Sequence, residues 1–112
     1  MTLLLDSRSI IELNFEWHEA KAEANWQTHG VSFGLARTVF RDPFALELVD
    51  DREDYGEERY LMIGMAEGRV LLFVAYTVRG ERMRIISARR ATKDERDEYF
   101  KQSTQADDFS ND

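Results

Sequence analysis

Three strand-like runs stand almost back to back in the second half of the chain: Glu58–Gly64, Arg69–Val78 and Arg82–Ala88. Each is rich in β-branched, aromatic and large aliphatic residues. Their links, Met65-Ala66-Glu67-Gly68 and Arg79-Gly80-Glu81, are short, and each contains a glycine. Links of that length cannot house a crossover, so the runs must form an antiparallel meander. Val70 to Val78 is uncharged and strongly apolar throughout, which predicts a middle strand covered on both faces or nearly so. With 112 residues there is material for one core and not two.

The flanking segments supply the cover. Ile11, Leu13, Phe15 and Trp17 alternate with polar residues, as in a half-buried strand. Glu19 to His29 lacks glycine and proline and contains Ala20, Ala22 and Ala24, which predicts a helix ended by Gly30. Ser32 can cap a second helix, Phe33 to Phe40, which stops at Asp42-Pro43. The short join predicts a helical hairpin packed as one unit, with Trp17 and Trp26 between it and the sheet. A short strand, Ala45–Val49, precedes an acidic turn-rich loop at residues 50–57. Thr92-Lys93-Asp94-Glu95 has the capping-box pattern and predicts a last helix to about Gln102. The expected fold is a single α+β domain over residues 10–102. An irregular extension at 1–9 and a flexible polar tail at 103–112 complete it.

Composition removes whole classes of function. Without cysteine there is no disulfide framework, thiolate zinc site or thiol catalysis. The longest apolar run is about half of what a membrane helix needs. The opening MTLLLDSRS lacks a basic lead-in and a cleavage pattern, so a cytoplasmic protein without membrane contact is expected. The net charge of −7 argues at first sight against nucleic acid. Its distribution reverses that. Residues 1–58 hold 5 Lys/Arg against 13 Asp/Glu, whereas residues 59–112 hold 10 against 9. Between Arg59 and Lys93 there are eight basic residues and only Glu67 and Glu81 in opposition, a local balance of +6. Seven of the eight are arginine, whose planar fork suits phosphate better than solubility requires.

Phe15-Glu16-Trp17, Glu19-Ala20-Lys21, Asn25, His29-Gly30-Val31-Ser32-Phe33, Ala36, Val39-Phe40 and Asp42-Pro43 form one set of spaced blocks. Gly56-Glu57-Glu58-Arg59, Ile63-Gly64, Tyr76-Thr77, Arg84 to Arg89 and Ala91-Thr92 form a second. Together they resemble the BrnT family of toxins over roughly residues 14–100. The resemblance implies a type II toxin of RelE-like fold, a ribonuclease that blocks translation. It implies a BrnA-like antitoxin with a ribbon-helix-helix region as partner, so that DNA is met only through the antitoxin. His18, Val78 and Arg90 stand where the family pattern has aspartate, glutamate and lysine.

Cleaving RNA without a metal requires a base for the 2′-hydroxyl, cations around the phosphorane and an acid for the leaving oxygen. Arg82 and Arg84 are two apart on a strand and therefore share a face. Arg89 and Arg90 end that strand, and Lys93 opens the last helix. Lys21, Asn25 and His29 are spaced i, i+4, i+8 as a polar helix ridge, and the imidazole of His29 is a candidate base or acid. The expected catalytic residues are thus Arg84, Arg89, Lys21 and His29. Arg59, Arg79, Arg82, Arg90 and Lys93 are the expected RNA-binding residues, with RNA engaged on or off the ribosome. Tyr55, Tyr76 and Tyr99 are stacking candidates for which packing is the plainer role. Asp50, Asp51, Glu53 and Asp54 lack a calcium-loop pattern, and neither metal nor other cofactor is expected. The competing reading is a non-catalytic module whose basic face docks an acidic or phosphorylated partner. Convergence of the arginines with Lys21 or His29 in one site would favour catalysis. A tight antitoxin complex covering the basic face is also expected.

Overall fold

A computed structural model describes residues 14–111, with side chains as far as Ser103. The expected extension at 1–9, and Ile11 to Leu13 of the first strand, lie outside the described residues. The elements are β1 (Asn14–Glu16), α1 (Glu19–His29), α2 (Phe33–Ala36), a 3₁₀ helix (Arg37–Arg41), β2 (Leu46–Val49), β3 (Tyr60–Ala66), β4 (Val70–Arg79), β5 (Arg82–Arg90) and α3 (Lys93–Asn111). Among the described residues the strands form one sheet in the order β1-β5-β4-β3-β2. The meander is antiparallel, and β4 is its centre, as its apolar run requires. β1 pairs with β5 in parallel.

The turns are tighter than the sequence suggests. Three residues, Glu67-Gly68-Arg69, join β3 to β4; Glu67 and Gly68 both take positive φ (52° and 66°), and the Arg69 amide closes the turn by donating to Ala66 O at 3.0 Å. Gly80-Glu81 joins β4 to β5, with Gly80 at φ 61°.

Alternate residues of β4 face two different cores. One side buries Leu72 and Val74 with Val31, Phe33, Ala36, Val39, Ile85 and Ala88 under α1, α2 and the 3₁₀ helix. The other packs Leu71 and Ile63 against Tyr99 of α3. Gly64 of β3 lets the helical layer approach closely, since a Cβ there would lie 3.2 Å from that of Val39. Asp42 ties the layers together: its Oδ2 accepts the Met65 amide at 2.8 Å and the Tyr99 hydroxyl at 2.6 Å.

The caps follow the expected residues. Gly30 ends α1 in the left-handed region, Ser32 accepts the Leu35 amide at 3.0 Å, and Thr92 and Glu95 form a reciprocal box. His18 precedes α1 without a side-chain cap.

Three expectations are corrected. The two N-terminal helices do not pack as a hairpin unit; α1 lies on β5, and the 3₁₀ helix that prolongs α2 lies on β3. Trp26 does not fill the interface with the sheet but is 53% exposed. At 100° per residue it falls on the face of Glu19 and Glu23, away from the buried Asn25. Finally, α3 runs on to Asn111 instead of ending at Gln102, because residues 103–111 contain neither glycine nor proline to stop it.

Candidate active site

Strand alternation sorts the basic residues onto the two faces of the sheet. Ile85 and Ala88 of β5 pack beneath the α1–α2 layer, so Arg82 and Arg84 emerge on the opposite face. Glu16 of β1, in register with Arg84, accepts hydrogen bonds from Arg84 at 2.8 Å and Arg82 at 3.4 Å. Arg79 of β4 lies directly across from Arg82, and Thr77 across from Arg84. Glu57, just before β3, accepts from Arg79 at 3.2 Å and Arg59 at 3.4 Å.

Two Arg–Glu–Arg groups therefore stand side by side, with two positive charges in excess. Like charges directly opposite disfavour strand pairing, and the two glutamates offset that cost for Arg79 and Arg82. The side chains of Arg84 and Arg59 are 26% and 27% exposed, whereas those of Arg82 and Arg79 are 64% and 51%. The first two form a sheltered inner pair, and the others reach into solvent. The Arg84 hydrogen bond holds the Glu16 carboxyl below the usual carboxylate range, outweighing desolvation, with Arg82 adding to the effect.

The remaining expected site residues lie elsewhere. Arg89 makes two parallel 2.9 Å bonds to Glu95, and its guanidinium sits 4.1 Å from the centre of the Phe73 ring. Because Glu95 also closes the Thr92 capping box, Arg89 anchors the start of α3 to the sheet. Burial raises the Glu95 pKa, but Arg89 and the Thr92 amide overcome this and leave it lowered. Lys93 pairs with Asp97 in solvent, and Arg90 is exposed without an ion pair among the described residues.

Lys21 and His29 do not converge with the arginines. They line a shallow cleft of about 250 Å³ with Thr28 and Ile86 on the α1 side, and the sheet stands between them and Arg84. Asn25, between them in the ridge, is structural. Its amide donates to Val31 O at 2.9 Å and Ala88 O at 2.8 Å, and its oxygen accepts from Ala88 N at 3.1 Å. Of the tyrosines, Tyr76 and Tyr99 are buried, with hydroxyls on Glu47 and Asp42. Tyr55 packs its ring under Arg59 at 4.2 Å.

Sequence reasoning missed Glu16 and Glu57 as parts of this site. For Glu16 a signal existed, since it occupies an outward position of the alternating first strand. Its register with Arg84, 68 residues away, was invisible.

The acidic loop is organised around Asp50, only 6% exposed, which holds Arg52 through two 2.8 Å bonds and accepts the Tyr55 hydroxyl at 3.1 Å. Among the described residues no three His, Asp or Glu side chains are grouped as metal ligands. The Arg52 hydrogen bonds drive the Asp50 pKa well below the ordinary carboxylate range, against the effect of burial. A depressed folded-state pKa contributes stability above the unfolded value and loses it as pH falls toward the folded value. Asp50→Asn is therefore expected to be less stable than the parent at neutral pH, with the gap narrowing only below about pH 4. Urea denaturation over a pH series checks this; a gap that closes near neutrality would contradict it.

The sequence model described as ribonuclease toxin, BrnT, of type II toxin-antitoxin system matches residues 17–95. No curated protein matches the chain. The crystal structure of the Brucella abortus ribonuclease toxin BrnT superposes with a TM-score of 0.58 at 21% identity, covering 72% of this chain and 99% of that one. No helix among the described residues is long and apolar enough to cross a membrane. With a family match over most of its length and a shared fold, the chain belongs to the BrnT family of ribonuclease toxins of type II toxin–antitoxin systems.

Proposed function

We propose that this toxin is a metal-independent, RelE-like endoribonuclease of the cytoplasm, which cuts RNA on the arginine face and so inhibits translation. Lys21 and His29 do not join the arginines, so that expected mark of catalysis is missing. What supports the reading is the ribonuclease toxin family together with the meeting of Arg59, Arg79, Arg82 and Arg84 on one sheet face around Glu16 and Glu57. An incoming phosphate replaces the carboxylates as partner of Arg84 and Arg59, whose sheltered forks hold its oxygens in fixed positions. A carboxylate of the same cluster takes the 2′-hydroxyl proton as that oxygen attacks phosphorus, and the 5′-oxygen leaves with a proton from water. The products are a 2′,3′-cyclic phosphate and a 5′-hydroxyl.

The chain's net charge of −7 keeps non-specific RNA affinity low, so substrate must be positioned by the shaped face or by the ribosome. A BrnA-like ribbon-helix-helix antitoxin neutralises the toxin by covering the arginine face, and provides its only link to DNA. The test is incubation of the purified protein with RNA in excess EDTA. Cleavage should persist and leave cyclic phosphate ends. Activity that vanishes with EDTA and returns with magnesium would defeat the metal-independent reading. RNA binding without cleavage would favour the docking-module reading.

A further inference from the structure

The helical layer carries a second surface that the arginine face does not explain. Between α1 and α2 runs a cavity of about 580 Å³ lined by Trp17, Ala20, Ala22, Trp26, Phe33 and Gly34. Glu19 and Glu23 form its charged rim, and among the described residues no basic one lines it. Glu19, Glu23 and Trp26 share one face of α1 through i, i+4, i+7 spacing. Lys21 belongs to the separate cleft with His29. Trp26 is the most exposed aromatic side chain of the described region, at 53%. A solvent-facing tryptophan beside small residues that permit close approach is the composition of an anchor pocket.

The charges select the occupant. A segment seated here must bring an apolar stripe to the tryptophans and positive charge to Glu19 and Glu23. A second copy of this chain, meeting the groove through its own groove, would place four glutamates against each other. We propose that the groove docks a lysine- or arginine-bearing amphipathic helix of the antitoxin, apart from whatever covers the arginines. This rests on the toxin–antitoxin reading. The antitoxin then presents two differently charged parts, since a basic helix is repelled by the arginine face.

Both tryptophans of the chain line the groove, so their emission reports its occupancy. The full chain is titrated with an amphipathic leucine–lysine helical peptide and with its leucine–glutamate counterpart, by fluorescence and calorimetry. The lysine peptide should bind with a blue shift in emission and the glutamate peptide should not. Trp26→Ala should weaken binding about tenfold or more. Glu19→Lys with Glu23→Lys should transfer the preference to the glutamate peptide. Glu53→Lys with Asp54→Lys, in the remote acidic loop, should change little. Equal loss in the loop variant would mark mere attraction to an acidic protein and overturn the proposal. So would tryptophans shielded from acrylamide in the free monomer, which would mean that the chain fills its own groove. Shielding that grows with concentration would assign the groove to a second copy and overturn it too. No RNA is present in this titration, so its failure leaves the ribonuclease reading to stand or fall by the EDTA experiment.

Discussion

Arg84→Ala is expected to lower RNA cleavage about a hundredfold or more and to abolish growth arrest on induced expression. The size follows from the loss of one preorganised donor at a phosphorane, which typically costs a factor of about 10²–10³. Arg84 is the side chain to choose because it is sheltered, in register with both Thr77 and Glu16, and makes the shorter bond to that glutamate. Arg84→Lys should recover only part of the activity, since an ammonium keeps the charge but not the two-pronged geometry.

Arg89→Ala provides the contrast. Arg89 is engaged by Glu95 and Phe73 at the root of α3, so its removal should cost about 1–2 kcal/mol of stability through lost charge-assisted hydrogen bonds. Cleavage per folded molecule should be retained. Rates of synthetic RNA cleavage, measured beside thermal melts, separate the two cases. Full toxicity in Arg84→Ala would remove that residue from the site, and a rate collapse in a stable Arg89→Ala would place Arg89 in it.

The second large effect is one of stability. Asn25→Ala should destabilise the fold by about 3–5 kcal/mol, because it removes the side-chain partner of two carbonyls and an amide, held at 2.8–3.1 Å in a buried setting. These groups belong to Val31 and Ala88, so the side chain joins the end of α1 to β5. The join lies just beyond Ile86, the residue that β5 leaves unpaired against β4. Asn25→Asp should be nearly as damaging, as a carboxylate accepts from Ala88 but cannot donate to either carbonyl. Urea titrations of the two variants, with Lys21→Ala and His29→Ala as exposed controls, measure this. A loss below about 1 kcal/mol in Asn25→Ala would show that water or rearrangement replaces the asparagine.

Local chemistry was legible in the sequence because its causes are local. Gly30, Ser32 and the Thr92–Glu95 box act within a few residues, so the helix limits could be read directly. The exception was the end of α3, where no residue forbids continuation. Two-residue periodicity likewise put Arg82 and Arg84 on one face, where both bind Glu16. The ridge of Lys21, Asn25 and His29 illustrates the limit. Helical spacing places the three residues together but not against anything. Docking on β5 then buries the middle one and turns the outer two away from the arginines.

By itself the sequence determined the α+β class, a meander centred on the apolar run from Val70 to Val78, and an arginine-rich segment inside an acidic chain. Only the tertiary structure decided which carboxylates meet those arginines. Glu16 reaches Arg84 because β1 adds to β5 in parallel, and Glu57 reaches Arg79 because the meander folds β3 back on β4. The same is true of Trp26, which helical spacing alone leaves ambiguous and which the docked face of α1 leaves in solvent. The physical reason is one of range. Turns, caps and strand alternation are set by neighbours in the chain, whereas an ion pair across 68 residues depends on strand order and register, which the packing of the whole core selects.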